Sequence, residues 1–582
     1  MARSLPLLPL VLGLVVGVLL ERPSVLGQLR DGDDGSNVTT WLPRDLLPQH
    51  YRVRIQPILE EGNFTAPAEL EFTFFARRAT NRVVLNVRNL EVSEASVTVE
   101  EESIPHTWTP LPVAGHEYDA DLETYAVVLG AGLRPGRVPG RYRLRMRYVA
   151  PVSEGAAGLY RVSYTDQNNT GRWMAMTQLH PTNARTMFPC LDEPQYKAPL
   201  TLSVARRREH TSVTNAPLLS SEPMCSDDDW VWDHFETSVP MSSYLIALAV
   251  FDFDKIESRY SATAADGDVT FRVWSRASQL PRGAYAARIG PRVLRYYADI
   301  FNIPFPLPKQ DMVATPKLTF QAMENWGLIF FRENGLLVNE ADPGSRHFVA
   351  ETVAHELAHQ WFGNLVTMRW WNDVWLNEGF ATYLSQLGVQ HVEPQWRSEG
   401  VFVLETMQAV MQKDALPSSH PVSREVHRVS DIDHIFDEIS YQKGASVVRM
   451  MSEFLGAEAF QRGLNAYLRR HAYGNAAQDD LWAALTEASN AHGGLPPGQT
   501  VKGIMDSWTL RTGFPVVRVQ RDYSRGTAGV TQQRFLVGPA PAPQAEADCC
   551  WGVPLWVKTS NGKTSSEVRE RWRGEPNKSV PR

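Results

Sequence analysis

The stretch ETVAHELAHQWFGN, residues 351–364, places two histidines and a glutamate inside an apolar run that is typical of a buried helix. On an α-helix, positions i and i+4 lie on one face, so His355 and His359 can direct their imidazoles at one point. Two neutral imidazoles suit Zn²⁺, and Glu356 is placed to act on a water molecule at the metal. Taken alone, the motif also fits a helix whose histidines make ordinary hydrogen bonds.

A further carboxylate, Glu378, stands nineteen positions after His359, where the helical apolar period resumes. A carboxylate at that point can return to the first helix as the third protein ligand. The fourth position of a tetrahedral zinc is then left for water, which is the arrangement of a catalytic site rather than a structural one. The alternative is that Glu378 is a helix-start carboxylate favoured by the helix dipole.

Length and charge limit the functions that this chain can have. A chain of 582 residues is too long for one core and is expected to divide into about three or four domains. Its 43% hydrophobic and 21% charged residues are ordinary for a globular protein, so most of the chain should fold. The net charge is −7 and there is no long basic tract, so nucleic acid is not expected as a partner.

Successive compositional regimes along the chain predict a multidomain α+β fold. Short alternating runs separated by Gly, Pro and Asn turns make residues 41–254 an N-terminal β-rich domain. Residues 255–512 are expected to form a mainly helical domain, because the apolar period there is that of an α-helix. Alternating runs return over 513–560, which should form a partial C-terminal β domain, and the polar segment 561–582 is predicted to be disordered.

The N-terminal segment 1–27 carries a targeting signal. Its run LPLLPLVLGLVVGVLL, residues 5–20, has no charge and is intermediate in length between a signal-peptide core and a membrane-spanning helix. Cleavage of this signal peptide would give a secreted protein. A retained signal anchor would make the membrane a partner and place the chain on the extracellular face of the plasma membrane. Four Asn-x-Ser/Thr sequons predict a glycoprotein: Asn37, Asn63, Asn168 and Asn577.

Several motifs together resemble those of one enzyme family. HELAHQWFGN followed by WWNDVWLNEGFA resembles the gluzincin zinc peptidases, and AMENWGL, residues 322–328, makes the chain similar to the M1 family of zinc aminopeptidases. The resemblance extends from about residue 41 to about residue 540 and includes FPCLDEP and ISYQKGASVVRM. It implies a thermolysin-like catalytic domain, one zinc ion per chain and peptide substrates with a free N-terminus.

The resemblance also implies roles for residues that the sequence alone leaves open. Glu324 matches the residue that accepts the substrate amino group, and Gln178 matches a second acceptor that faces the first substrate side chain. Tyr441 matches the tyrosine that donates a hydrogen bond to the oxyanion. Without the resemblance, Gln178 reads as a surface polar group and Tyr441 as a core residue. The other substrate-binding candidates belong to the same motif as Glu324: Gln321, Ala322, Met323 and Asn325.

The chain departs from the family pattern in two places. Gln321 replaces the first glycine of the Gly-Ala-Met-Glu-Asn motif, and this longer side chain is expected to narrow specificity or slow turnover. The resemblance also leads us to expect that the family's long C-terminal helical domain, which walls the active-site chamber and often carries the dimer interface, is missing. Chamber closure and dimerisation are therefore open. A truncated isoform or fragment acting as a binding ectodomain is the competing interpretation, and an endopeptidase is disfavoured because it has no use for Glu324.

The segment TQLHPTNAR, residues 177–185, predicts which N-terminal residue is removed. In acid-preferring relatives this segment supplies carboxylates that bind Ca²⁺, whereas this chain has Gln178, His180 and Asn183 at the matching positions. Because Ca²⁺ needs anionic oxygen ligands, a calcium site is expected to be weak or absent. Without that cation an acidic side chain would be repelled by Glu324, so the sequence predicts a preference for neutral residues.

Overall fold

The computed structural model describes residues 41–136, 140–166, 168–261, 268–496, 498–525, 527–538, 550–558 and 564–569. These residues belong to one unit, Asn37–Arg582. The predicted signal peptide or anchor, 1–27, lies outside the described residues. Within them, no helix has the length and apolarity needed to cross a bilayer.

The first region is built from strands whose alternating residues face the core. In β1 (Leu46–Ile55), Tyr51, Val53 and Ile55 are buried, whereas Arg52 and Arg54 between them are exposed. The predicted N-terminal β-rich region is confirmed, and it extends to Ser275. The other strands are β2 (Thr65–Ala76), β3 (Thr80–Asn86), β4 (Glu91–Ile104), β5 (Thr107–Leu111), β6 (Val113–Asp119), β7 (Thr124–Leu133), β8 (Arg141–Pro151), β9 (Gly158–Thr165), β10 (Gly171–Gln178), β11 (Leu200–Arg207), β12 (Thr211–Thr214), β13 (Leu218–Met224), β14 (Asp227–Phe235), β15 (Leu248–Phe251), β16 (Asp254–Ser261) and β17 (Asp268–Ser275).

The strands of this region form separate sheets. An eight-stranded sheet has the order β13-β14-β11-β1-β2-β8-β4-β5, and it is antiparallel except where β1 pairs in parallel with β11. A three-stranded sheet has the order β3-β7-β6, and a four-stranded sheet the order β12-β15-β10-β9. The last of these sheets carries Gln178 at the end of β10, so a strand end delivers this candidate substrate residue.

The second region is mainly helical, as the sequence predicts, and it also contains strands. A five-stranded sheet lies beside the helices; it consists of β16 and β17 and of three strands of this region, and β17 pairs with the first of these three. One hydrophobic core contains residues of both regions. The elements are α1 (Ala284–Phe301), β18 (Lys309–Thr315), β19 (Ala322–Met323), β20 (Leu328–Arg332), α2 (Glu333–Leu336), α3 (Ser345–Ala358), β21 (Val366–Met368), α4 (Trp375–Val392), α5 (Ser398–Val401), α6 (Ala409–Asp414), α7 (Val429–Ile432), α8 (Gly444–Leu455), α9 (Ala457–Arg470), β22 (Gly474–Ala476), α10 (Gln478–His492) and α11 (Val501–Thr509).

The C-terminal residues form two antiparallel strand pairs. Strand β23 (Pro515–Asp522) pairs with β24 (Thr527–Arg534), in agreement with the expected small β domain. Strand β25 (Val553–Lys558) pairs with β26 (Thr564–Arg569), so the prediction of a disordered tail from residue 561 is wrong for these six residues. A neighbouring antiparallel partner satisfies the backbone hydrogen bonds even of a polar segment. The domain boundaries themselves stay a prediction.

Candidate active site

Two helices bring the predicted zinc ligands together. His355 lies in the last turn of α3, His359 follows directly after that helix, and Glu378 lies in the first turn of α4. The two Nε2 atoms of the histidines are 3.0 Å apart. Glu378 Oε2 lies 3.5 Å from His355 Nε2 and 3.3 Å from His359 Nε2. The three donor atoms therefore form a nearly equilateral triangle.

This triangle fits a single zinc ion. Zn–N and Zn–O bonds of about 2.0–2.1 Å in a tetrahedron place the ligand atoms about 3.3 Å apart. The ring of His359 is held by its Nδ1, which donates to the carbonyl oxygen of Phe362 over 2.9 Å, so that in the neutral ring the lone pair lies on Nε2. Donor chemistry and spacing thus both fit a zinc site with three protein ligands.

The charges of the triad are strongly coupled. Burial lowers the pKa of His359, but Glu378 and Glu324 outweigh burial and raise that pKa to about 10. Burial raises the pKa of Glu378, yet His359 and His355 beside it hold this pKa well below its usual range. Because a ligating imidazole is neutral, His359 must lose its proton to bind zinc.

Glu356, the predicted general base, is buried beside the triad. Its Oε2 atom has no hydrogen-bond partner among the residues that the structure describes. Burial raises the pKa of Glu356 well above its usual value; Glu324 and Glu378 add to this rise and His359 opposes it. A carboxylate with a raised pKa and a free oxygen is suited to taking up and returning a proton.

Tyr441 lies on a π-helical turn, Ile439–Lys443, directly before α8. Its ring stacks against that of His355, with centroids 6.2 Å apart and 11° between the planes. Burial, reinforced by Glu378 and Glu324, raises the pKa of Tyr441 well above its usual value, so the hydroxyl keeps its proton and can donate it. Such π-helical turns frequently occur at functional sites.

A close helix crossing sets the distance between Tyr441 and the zinc ligands. Gly379, the residue after Glu378, packs against Gly444, and a Cβ atom on Gly379 would lie 2.9 Å from the Gly444 backbone. A side chain at either glycine would force α4 and the start of α8 apart. The two glycines therefore allow the tyrosine to approach the metal ligands.

The two predicted amine acceptors are both buried and available. Glu324 follows β19 and its Oε1 is unpaired within the described part of the chain; the same holds for both polar atoms of the Gln178 side chain. Gln178 is 1% exposed and Glu324 is 5% exposed. Buried polar atoms without partners are costly, so this arrangement is typical of a site that a ligand completes.

The other substrate-binding candidates lie beside Glu324 in the chain, and their observed contacts are with the protein itself. Ala322 and Met323 form β19, which pairs with Phe331 and Phe330 of β20. Asn325 is fully buried and its Nδ2 lies 3.5 Å from the carbonyl oxygens of Tyr244 and Ile246. Gln321 donates from its side chain to Asn334 Oδ1 over 3.1 Å. The substrate-binding roles of these four residues stay predictions.

Sequence reasoning missed two amides that hold Glu324. Gln360 donates to the carbonyl oxygens of Glu324 and Glu356, and Asn364 donates from Nδ2 to the carbonyl oxygen of Glu324 over 2.8 Å. Both residues are fully buried. Their position in an apolar run could have indicated that both amides are buried and therefore need hydrogen-bond partners. The sequence does not show which carbonyl oxygen each amide bonds.

Two domain models of one peptidase family match the two regions of the chain. Residues 285–508 match the model of the peptidase family M1 domain, and residues 47–245 match that of the peptidase M1 N-terminal domain. The two segments make up most of the chain and include every predicted zinc-ligand, catalytic and substrate-binding residue.

Similar curated proteins are ectoenzymes and aminopeptidases by name. The chain is 36% identical over 534 residues to thyrotropin-releasing hormone-degrading ectoenzyme of Mus musculus, covering 90% of this chain and 48% of that protein. It is 37% identical over 530 residues to aminopeptidase N of Bos taurus, covering 88% of this chain and 53% of that protein. It is 35% identical over 543 residues to glutamyl aminopeptidase of Homo sapiens, covering 91% of this chain and 53% of that protein. The chain thus spans about half the length of these relatives. On these matches and on its zinc-ligand triad, the chain belongs to peptidase family M1.

Proposed function

We propose that this chain is a zinc-dependent aminopeptidase that removes the N-terminal residue, preferably a neutral one, from peptides. The observation that carries the proposal is a zinc-ligand triad beside two buried polar side chains whose acceptor atoms are free. Glu324 raises the pKa of both His359 and Glu356, so its charge lies close to the reacting centre. An exopeptidase needs this combination, because it must hold an α-ammonium one residue from the scissile bond.

The residues divide the chemistry among them. Zinc, held by His355, His359 and Glu378, would supply Lewis-acid polarisation of the scissile carbonyl and a water of lowered pKa. Glu356 takes the proton of the attacking water and passes it to the leaving amine. Tyr441 donates its hydroxyl hydrogen to the carbonyl oxygen as negative charge develops there.

Recognition of the free N-terminus falls to Glu324 and Gln178. The Glu324 carboxylate and the Gln178 amide oxygen accept from the substrate α-ammonium. The Asn364 and Gln360 amides fix the Glu324 backbone, so the carboxylate is held in place before the substrate binds. Preorganised acceptors lose little freedom on binding, which strengthens recognition.

The first test of this proposal compares one peptide with a free N-terminus and the same peptide N-acetylated. Acetylation removes the charge that Glu324 binds, and a hydrogen bond to a charged group contributes about 1.5–3 kcal/mol, so kcat/KM should fall by about 10-fold to 100-fold or more. Steady-state kinetics with the purified chain measure this ratio. Equal cleavage of the two peptides would favour an endopeptidase, and cleavage of neither would favour a binding ectodomain.

The second test concerns the residue that is removed. We expect the neutral Ala and Leu substrates to be cleaved at least about 10-fold more efficiently than a matched Glu substrate, because Glu324 repels a second carboxylate in a buried site, and an Arg substrate serves as the cationic comparison. Added Ca²⁺ should change none of these values. The measurement is kcat/KM for the four matched substrates with and without Ca²⁺.

Contacts around the matching segment support the insensitivity to calcium. Asn183 donates to the carbonyl oxygen of His180, and its own Oδ1 accepts from the Arg88 guanidinium. Burial lowers the pKa of His180, although Glu324 opposes this effect, so the imidazole stays neutral. It offers a nitrogen atom rather than the anionic oxygen that Ca²⁺ needs. The Arg88 guanidinium that bonds Asn183 is also paired with Glu123 over 2.9 Å, so Asn183 is already part of a structural ion-pair network. A Glu substrate that is cleaved fastest, or that is promoted by calcium, would show that the pocket has been misread.

We also propose an extracellular location. Relatives carry names such as thyrotropin-releasing hormone-degrading ectoenzyme, and the sequence predicts entry into the secretory pathway. Two of the predicted glycosylation sites, Asn63 and Asn168, are exposed on the described surface, which supports their modification. Peptides are the proposed partners, and the membrane is one if segment 1–27 is retained.

A further inference from the structure

Asn364 links three parts of the molecule through three hydrogen bonds. Its backbone N–H donates to the carbonyl oxygen of the zinc ligand His359 over 3.0 Å. Its side-chain Nδ2 donates to the carbonyl oxygen of Glu324 over 2.8 Å. Its own carbonyl oxygen accepts from Lys197 Nζ over 3.0 Å. Asn364 therefore connects the metal site, the amine acceptor and the β-rich region.

The side chain of Asn364 has only one workable orientation. Turning the amide by half a turn would place its oxygen 2.8 Å from the Glu324 carbonyl oxygen, where two acceptors repel each other. The residue is fully buried, so no bulk water competes for this bond. The position of the Asn364 peptide thus fixes the position of the Glu324 backbone.

Lys197 reaches this peptide from the β-rich region, just before β11. The residue is 7% exposed, and Nζ also donates to the carbonyl oxygen of Leu365 over 3.3 Å. Within the described ranges no carboxylate lies within ion-pair distance of it, and burial lowers its pKa well below the usual value. Burying a lysine against two carbonyl oxygens alone is costly, so a role beyond packing is indicated.

We propose that Lys197 is a positioning residue which acts through Asn364 to hold Glu324 at the distance from the zinc site that binding of an α-ammonium requires. The inference rests on the proposed function insofar as Glu324 is the amine acceptor. Loss of the Lys197 amine leaves two buried carbonyl oxygens, of Asn364 and Leu365, without their donor, and the loop that carries Asn364 then shifts. Small displacements of this kind weaken oriented binding strongly.

The test measures binding of free leucine and of N-acetylleucine by isothermal titration calorimetry, with zinc content and melting temperature as companion readouts. In Lys197→Met, whose side chain is of similar length, we expect the Kd of leucine to rise about 10-fold or more. The Kd of N-acetylleucine and the zinc content should stay unchanged. Lys502→Met removes an exposed lysine from the helical region and serves as the control, with both Kd values unchanged.

A double-mutant cycle separates positioning from general destabilisation. If Lys197 acts through Glu324, then Lys197→Met should change the Kd of leucine less than about 2-fold in a Glu324→Gln background. A full effect in that background would overturn the proposal. So would an unchanged leucine Kd in Lys197→Met together with a lowered melting temperature, because the lysine would then serve stability alone.

Two further outcomes keep the inference and the proposed function apart. If Lys197→Met does not fold, Asn364→Ala carries the test, and an unchanged preference for leucine over N-acetylleucine in that variant overturns the proposal. If the wild-type protein binds leucine in preference to N-acetylleucine but hydrolyses no peptide, the proposed function is contradicted. The leucine Kd of Lys197→Met then still decides whether Lys197 positions Glu324. Wild-type protein that hydrolyses peptides while Lys197→Met binds leucine normally contradicts the inference alone.

Discussion

Replacing Glu356 with Gln is expected to leave zinc bound and to lower kcat by about 10²-fold to 10⁴-fold, the usual contribution of a general base. The side chain keeps its size, so the packing around α3 and the three ligands His355, His359 and Glu378 is preserved. What is lost is the free carboxylate oxygen that accepts the proton. Steady-state kinetics together with elemental analysis of zinc measure the two halves of this expectation.

The matched control for this change is Glu458→Gln, the same substitution at an exposed position of α9. It should keep kcat within about 2-fold, since surface substitutions have small effects. Glu356→Gln with full activity would remove Glu356 from the mechanism. Loss of zinc from this variant would mean that Glu356 supports the metal site rather than proton transfer.

Replacing His355 with Phe is expected to remove both zinc and activity. Three protein ligands form a catalytic zinc site, and the donor triangle loses one corner in this variant. A chelator should abolish the activity of the wild-type protein in the same way, and added Zn²⁺ should restore it. Zinc content by elemental analysis, followed with activity through chelation and reconstitution, is the measurement.

His347→Phe on the same helix is the control for the loss of an imidazole. His347 packs near the Trp396 ring, with centroids 5.4 Å apart, and a phenyl ring can keep this contact. This variant should retain one zinc per chain and the wild-type rate. Activity that survives complete removal of zinc from the wild-type chain would rule out a metallopeptidase.

Local patterns predicted the three candidate zinc ligands and Glu356, because spacing along a helix constrains their geometry, whereas Glu324, Gln178 and Tyr441 were predicted only from the family resemblance. The spacing of His355 and His359 predicts that both project from one helix face, and this holds because His359, directly after the end of α3, keeps helical backbone angles. The resumption of the apolar period placed Glu378 at a helix start, and α4 begins at Trp375. The same reasoning gave the β-rich and helical regions but missed the five-stranded sheet beside the helices, since fully buried strands lack alternation.

Sequence by itself therefore indicated the fold class, the candidate zinc ligands and the general-base candidate, because each prediction depends on residue type and on short-range periodicity. Tertiary structure alone decided how the site is held together. The Gly379–Gly444 crossing and the bonds that join Lys197, Asn364 and Glu324 connect residues far apart in the chain. Which carbonyl a buried amide or amine selects is set by packing in three dimensions, where the cost of an unpaired polar group leaves few alternatives, and no local pattern encodes that choice.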